Sequence, residues 1–246
     1  MRFRLTPAIA IAATLLAACA DTTRVRQDPQ FASRRAAIST VAVLPPNVQF
    51  SLRVGDASEK LVEASHRIAT ELGPLVVTRL EQKGFTPKAD AFEEAYASRM
   101  EGPRQLAELI EKAYSEVDTK TGVWDLALKD HALNYQRSLG KSAVDLASHA
   151  HADALLFTMF HGWTRTTGSI AGEVATKIVL TALLGLLVPP DTSAYSRMLV
   201  ALVDGRTGDV LWTNWTGKPS FAWAAKDYDS DELSRFVEEL FGGFPQ

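Results

Sequence analysis

A single cysteine, Cys19, follows a short apolar leader and limits how the rest of the chain can be stabilised. Arg2 and Arg4 give the leader a basic end, residues 8–18 are apolar, and small residues precede the cysteine, which is the layout of a secretory signal peptide. The apolar run is about half of the roughly 20 residues that a membrane-spanning helix needs. We therefore expect cleavage rather than a transmembrane anchor, and one cysteine permits no disulfide within the chain.

The run Leu16–Cys19 (LAAC) resembles the lipobox of bacterial lipoprotein precursors. In that family the cysteine sulfur receives a diacylglycerol, the signal peptide is cut just before it, and the new amino terminus is acylated. The resemblance implies lipidation at Cys19 and attachment to a membrane through a lipid anchor, which several acyl chains make stable. Ala20 stands where an acidic residue would imply retention in the inner membrane, so the resemblance implies the periplasmic face of the outer membrane.

Three regions follow from this leader. Residues 1–18 are expected to be the signal peptide, and residues 19–38 a lipidated N-terminus and flexible tether that lacks hydrophobic periodicity. Residues 39–246 are expected to form one periplasmic domain, because a chain of this length can bury a substantial core. Without Arg2 and Arg4 the mature chain has 24 basic and 29 acidic residues, a net charge of −5. Nucleic-acid binding needs a basic surface, so we expect no nucleic-acid partner.

Hydrophobic periodicity predicts an α/β fold class: a single mixed β-sheet domain with helices packed on it, a helical insertion in the middle and a C-terminal amphipathic helix. Simple alternation places Trp212 on the same face of its strand as Val210, in a strand that looks covered on both faces. The expected elements are a buried strand over 39–44 that stops at two prolines, a helix over 57–83, a short edge strand over 85–87, helices within 93–150, a strand over 154–164, hairpin strands over 198–203 and 210–215, and a helix over 233–241 that ends at Gly242.

The order of three motifs resembles a group of bacterial envelope lipoproteins. The motifs are the strand Thr40–Pro46 (TVAVLPP), the segment Ala150–Leu156 (AHADALL) and the hairpin Leu199–Trp212 (LVALVDGRTGDVLW). The group includes uncharacterised putative lipoproteins, the curli secretion protein, lipoprotein activators of penicillin-binding proteins and the amino-terminal domain of TolB. The resemblance implies an α/β sheet domain that binds other envelope proteins and carries no chemistry of its own.

Two motifs contain residue types that bind metals. If the segment is extended, the side chains of His149, His151 and Asp153 lie on one face, a spacing that metal hydrolases use. If it is the end of a helix, residues two apart point in different directions and the three side chains do not meet. Zinc would need a further ligand and a second shell, and no such cluster accompanies them. Residues 204–209 hold two carboxylates and two glycines, which favours a hairpin turn because the closing glutamate of a calcium loop is missing.

No motif for catalysis stands out in the sequence. Pro45 and Pro46 occupy the place where a phosphate-binding loop would follow the first strand, and no G-x-S-x-G elbow is present. We therefore expect no catalytic residue, no cofactor and no bound metal, and Cys19 is the one modification site that the sequence predicts.

Residues 170–188 form an apolar stretch that permits three interpretations. Glu173 and Lys177 interrupt it, and the uncharged remainder, residues 178–188, is too short to cross a bilayer as a helix. The stretch could be a buried helix, a contact between subunits of a homo-oligomer, or a membrane or pore contact.

These observations favour a non-catalytic binding or scaffolding module in envelope assembly or secretion, with an envelope protein as its expected partner. One alternative is an oligomeric secretion or pore subunit that inserts residues 170–188 into the membrane. The other is a periplasmic metal hydrolase that uses His149, His151 and Asp153.

Overall fold

The strand Ala154–Arg165 runs through the middle of the sheet, and the other described strands pair with it directly or through one or two intervening strands. The computed structural model describes residues 24–54, 57–93, 104–121, 137–165, 194–218 and 230–244. Within these residues the strands are β1 (Arg24–Gln27), β2 (Thr40–Val43), β3 (Asn47–Val54), β4 (Ala57–Lys60), β5 (Thr86–Lys88), β6 (Ala154–Arg165), β7 (Ala194–Asp204) and β8 (Val210–Lys218). The helices are α1 (Phe31–Arg35), α2 (Val62–Gln82), α3 (Arg104–Thr121), α4 (Lys141–Ala150) and α5 (Ser230–Gly242).

The eight described strands form one mixed sheet that contains the path β1-β8-β7-β6-β2-β5, and off this path β3 pairs with β6 and with β4. Two strands, β2 and β3, pair in parallel with successive parts of the same edge of β6, while β7 pairs with the other edge in antiparallel fashion. We name the end of the sheet where β6 ends at Arg165 the upper end, and the end where β6 begins at Ala154 the lower end. The predicted α/β class with a single mixed sheet is confirmed.

Helices cover both faces of the sheet, which explains why the central strands are apolar on both sides. Alternate residues of β6 point to opposite faces: Leu156 and Phe160 join the core under α2 and α5, whereas Leu155 and Phe157 join the core under α3 and α4. The side chains of these four residues are all fully buried. The result is a three-layer arrangement with a separate hydrophobic core on each side of the sheet.

The predicted hairpin of β7 and β8 is confirmed, but its register contains a bulge. Between Leu202 and Val203 the pairing shifts by one residue, so that Trp212 pairs with Leu202 while Val210 pairs with Val203. The extra residue reverses the alternation at this point. Trp212 therefore lies in the core under α2 and α5, and Val210 lies on the opposite face, so the expectation that they share a face is wrong.

Residues 24–38 are folded onto the sheet, although the sequence predicted a flexible tether there. The strand β1 pairs with β8, from Arg24 opposite Trp215 to Gln27 opposite Trp212. The side chain of Phe31 in α1 is 1% exposed and packs edge-to-face on Phe244 at a centroid distance of 5.8 Å. Short apolar anchors of this kind give no periodicity, and the tether prediction is therefore wrong for these residues.

The predicted helix over 57–83 begins later than expected. Residues 57–60 form β4, which pairs with β3 as an antiparallel hairpin, and α2 begins at Val62. The expected helical insertion over 93–150 contains α3 and α4, and its residues 94–103 and 122–136 lie outside the described residues. No helix among the described residues is long and apolar enough to cross a membrane.

Replacing Trp212 with Ala should destabilise the protein by about 3 to 5 kcal/mol, the usual range for truncating a buried large aromatic side chain. Trp212 is 0% exposed, and its ring lies 4.6 Å from that of Phe244 and 6.2 Å from that of Phe241. Urea unfolding of the mature chain measures the change. Val62→Ala is the control, because Val62 is 73% exposed and its truncation should stay within about 0.5 kcal/mol. An unchanged midpoint for Trp212→Ala would contradict the burial.

Candidate functional site

Cys19 and residues 170–188 lie outside the described residues, so the expectations for them remain predictions.

The three candidate metal ligands His149, His151 and Asp153 have separate structural roles. His149, in the last turn of α4, stacks on Phe92 at 6.4 Å, and His151 caps the helix with a positive φ of 49°. No group of three or more His, Cys, Asp or Glu residues that could hold a metal ion occurs in the described part of the chain. His149, His151 and Asp153 therefore do not form the metal-binding triad that the metal-hydrolase alternative requires.

Asp153 fastens the beginning of β2 to the beginning of β6. Its Oδ2 atom accepts hydrogen bonds from the backbone N–H of Ser39 (3.0 Å), the backbone N–H of Thr40 (2.9 Å) and the Thr40 hydroxyl (2.9 Å). The backbone hydrogen bonds from Thr40 and Ser39 hold the pKa of Asp153 below its ordinary value, because they stabilise the ionised carboxylate. This carboxylate is therefore structural.

Of the two carboxylates of the hairpin loop, Asp209 holds the N-terminal segment and Asp204 holds the turn. Arg34 of α1 donates a hydrogen bond from Nη1 to Oδ2 of Asp209 at 2.6 Å, and the Thr207 hydroxyl donates to the same oxygen at 2.8 Å. The hydrogen bond to Asp209 raises the pKa of Arg34. Asp204 accepts from the backbone N–H of Arg206 at 2.8 Å, as a turn carboxylate does. The hairpin-turn interpretation of this loop fits these contacts.

The upper end of the sheet carries a cluster of cations and aromatic rings that the sequence analysis missed. Four adjacent strands, in the order β4-β3-β6-β7, place alternate residues on the face that also carries α3 and α4. We call this the upper face, and its residues are Ser58 and Lys60 of β4, Gln49, Ser51 and Arg53 of β3, His161, Trp163 and Arg165 of β6, and Tyr195 and Arg197 of β7.

The pairing register sets which of these side chains are neighbours. Trp163 of β6 lies between Ser51 of β3 and Tyr195 of β7, so its ring is flanked across both edges of the strand. Gly162 makes the β3–β6 contact possible, because a Cβ atom there would lie 2.5 Å from the ring of Phe50. The close approach of the two strands brings residues more than a hundred positions apart into one surface.

Cations surround the Trp163 ring. The guanidinium carbon of Arg53 lies 4.3 Å from the ring centroid, and that of Arg165 lies 5.5 Å away, both within the range of cation–π attraction. A cavity of about 410 Å³ opens beside this stack, and Lys60, His161 and Arg197 are among its lining residues. The described residues that line it include no carboxylate.

The electrostatics of the cavity favour an anionic ligand. Burial lowers the pKa of Arg197, and the nearby charge of Arg53 lowers it further, while Tyr195 and Asp118 act in the opposite direction. An arginine nevertheless keeps its charge in a protein. Burial also lowers the pKa of His161, with a smaller contribution from Arg197. An anion placed among these groups would gain charge-assisted hydrogen bonds and offset the repulsion between the cations.

The unfolding free energy should depend on pH through His161. Because its pKa in the folded protein lies below the ordinary value of 6.5, the unfolded chain binds a proton more readily there. The stability of wild type relative to His161→Gln should therefore fall as the pH drops through 6.5. Urea unfolding over a pH series measures this difference. The control is Gln49→Ala, at the cross-strand neighbour of His161, which should keep the pH dependence of wild type. If the difference in unfolding free energy between wild type and His161→Gln does not change with pH, the lowered pKa of His161 is wrong.

No protein-family model matches this chain, and no curated protein matches its sequence. Among solved structures, it is similar to a PelC dodecamer from Paraburkholderia phytofirmans, with 11% identity over 90% of this chain and 95% of that chain and a TM-score of 0.38. A variant PelC dodecamer of the same organism matches with 11% identity over 90% and 96% of the two chains and a TM-score of 0.37. Lipoprotein GNA1162 from Neisseria meningitidis matches with 12% identity over 85% and 99% and a TM-score of 0.35.

Proposed function

We propose that the chain is an outer-membrane lipoprotein, anchored through Cys19 on the periplasmic side, whose domain is a non-catalytic binding module for an anionic ligand in envelope assembly or secretion. The observation that carries the proposal is the upper-face cavity. It combines Arg53 stacked on Trp163 with the side chains of Lys60 and Arg197. The leader before Cys19 supplies the export and anchoring part of the proposal.

The chemistry of the cavity favours binding over catalysis. Its cationic groups supply a cluster of hydrogen-bond donors, and the aromatic side chains of Trp163 and Tyr195 supply flat apolar surface. His161 also lines the cavity, and its lowered pKa keeps the imidazole neutral at neutral pH. A pocket of this composition recognises phosphate or carboxylate groups.

A second candidate function is an oligomeric secretion subunit that inserts residues 170–188 into the membrane. One observation favours it: the described sheet is left at Arg165 and re-entered at Ala194, and both residues lie at the upper end. The chain also enters β1 from that end, because β1 runs antiparallel to β8. The apolar stretch and the proposed lipid anchor thus connect to the same end of the sheet.

Replacing Cys19 with Ser should abolish lipidation and anchoring, because the hydroxyl cannot take the place of the thiol that receives the diacylglycerol. Labelling with a fatty acid and fractionation of membranes measure the two effects in intact cells. Thr22→Ser is the control, since it makes a similarly small change three residues beyond the cysteine. Fatty-acid label in the Cys19→Ser protein, together with its recovery in the outer membrane, would contradict the lipoprotein proposal.

Pyrophosphate should bind the mature chain at the upper face, and Arg197→Gln should weaken that binding about ten-fold or more, the loss expected when a hydrogen bond worth roughly 1.5 to 3 kcal/mol to a charged group is removed. Isothermal titration calorimetry measures the affinity. Arg206→Gln is the matched control, because it removes the same charge from the hairpin loop at the lower end. Equal weakening by both variants, or no binding by wild type, would count against the cavity as an anion site.

A further inference from the structure

We infer that the upper face is turned toward the membrane that holds the lipid anchor and binds the phosphate headgroups of its anionic phospholipids. The inference rests on the proposed anchoring at Cys19 and specifies both the ligand of the upper face and the orientation of the domain. Three independent observations support it: the reach of the chain before β1, the distribution of charge along the sheet, and the aromatic residues of the upper face.

The segment between Cys19 and β1 is short. Arg24 begins β1 only five residues after Cys19. A chain spans at most about 3.6 Å per residue, so the anchor must lie within about 18 Å of Arg24. Because β1 enters the sheet from the upper end, the shortest route to the anchor runs toward that end.

The distance along the sheet from the level of Arg24 to its upper tip is similar to the length that the chain between Cys19 and Arg24 can span. Arg24 pairs with Trp215, Trp215 with Leu199, and Leu199 with Met159, which places Arg24 at the level of Met159 on β6. From Met159 to the upper tip of β6 at Arg165 is six residues, and a strand rises about 3.3 Å per residue, so this distance is about 20 Å. A lipid attached at Cys19 and the rim of the upper face can therefore reach the same plane.

Charge is distributed unequally between the two ends of the sheet. The upper face carries Arg53, Lys60, Arg165 and Arg197. Among the described residues, the acidic groups near it include Glu59, which alternation places on the opposite face of β4, and Asp118 of α3, which acts on His161 and Arg197. At the lower end, the carboxylates of Asp153, Asp204 and Asp209 lie among hydrogen-bond donors and the cations Arg34 and Arg206, so acidic and basic groups balance there. An anionic membrane surface attracts the upper end.

The aromatic residues of the upper face suit the boundary between headgroups and water. Trp163 and Tyr195 are cross-strand neighbours and both are half-buried. Tryptophan and tyrosine are enriched at membrane interfaces, because each combines an apolar ring with a polar group. Arg53 over Trp163 places a phosphate-binding group directly beside such a ring.

Vesicle binding by the unacylated mature chain tests the choice of ligand. The Cys19→Ser chain should co-sediment with vesicles that contain phosphatidylglycerol and not with vesicles of phosphatidylcholine alone. Arg53→Gln with Arg197→Gln should reduce the binding constant about 25-fold, five-fold for each cation near the surface, which corresponds to about 1 kcal/mol each. Lys60→Gln, at an exposed position of the edge strand β4, should reduce it about five-fold without disturbing the core. Arg206→Gln should leave binding unchanged.

A fluorescent label tests the orientation in the lipidated protein itself. Cys19 is the only cysteine in the sequence, and its sulfur is consumed by the diacylglycerol in the proposed mature form. Ser58→Cys on the upper face and Thr207→Cys in the lower hairpin loop therefore each supply one free thiol for labelling. After reconstitution into phosphatidylglycerol vesicles, the label at 58 should be shielded from aqueous iodide, and the label at 207 should remain quenchable.

The outcomes separate this inference from the proposed function. Shielding of the label at 207 instead of 58, or equal loss of vesicle binding in Arg206→Gln, would overturn the inference. Pyrophosphate binding that depends on Arg197, with no preference for phosphatidylglycerol vesicles, would leave the anion-binding module standing and reject the membrane as its ligand. If the chain binds neither pyrophosphate nor phosphatidylglycerol vesicles, both the anion-binding function and the membrane ligand are rejected. Fatty-acid labelling of Cys19 reports on anchoring alone.

Discussion

The carboxylate of Asp153 is the point on which the arrangement of the central strands depends. It accepts three hydrogen bonds from Ser39 and Thr40 at the start of β2, while its own backbone N–H donates to Thr40 and its carbonyl accepts from Gly205. One residue thus joins the lower ends of β2 and β6 to the β7–β8 hairpin. A Cβ at residue 205 would lie 2.8 Å from the carbonyl of Asp153, so the junction requires glycine there. Since its pKa is lowered, this carboxylate stabilises the fold above its ordinary pKa of 3.8 and loses that contribution as the pH falls through the lowered value.

The parts of the fold that the sequence predicted correctly are those in which local pattern and tertiary burial agree. Residues 40–43 and 154–160 are continuous apolar runs, which is what strands covered by helices on both faces require. The β3–β4 hairpin was missed because its strands are only partly buried and carry polar residues such as Ser51 and Arg53. The predicted position of Trp212 on the same face as Val210 was wrong because a bulge depends on the partner strand and is not visible in the simple alternation of the sequence.

The upper face could not be assembled from the sequence because its members come from four strands. Arg53, Trp163 and Tyr195 are brought together only by the register of β3, β6 and β7. A local signal did exist: near residue 161 the strand β6 changes from continuously buried to alternating, with His161, Trp163 and Arg165 on one face. That change of period marks where the helices stop covering the sheet, but it does not reveal what the neighbouring strands contribute.

The two ends of the sheet use charge differently, and this contrast bears on function. At the lower end the carboxylates of Asp153 and Asp209 are matched by donors that fasten strands and the N-terminal segment, so they contribute to folding. At the upper end burial, and to a smaller extent the charge of Arg53, acts against the charged form of Arg197, while Tyr195 and Asp118 act in the opposite direction. Clustered cations of this kind are expected where a protein keeps a surface complementary to an anion. Under the proposed function, phosphate groups on this face would offset the cost of burying Arg197, which would couple binding of the ligand to the stability of the upper end of the sheet.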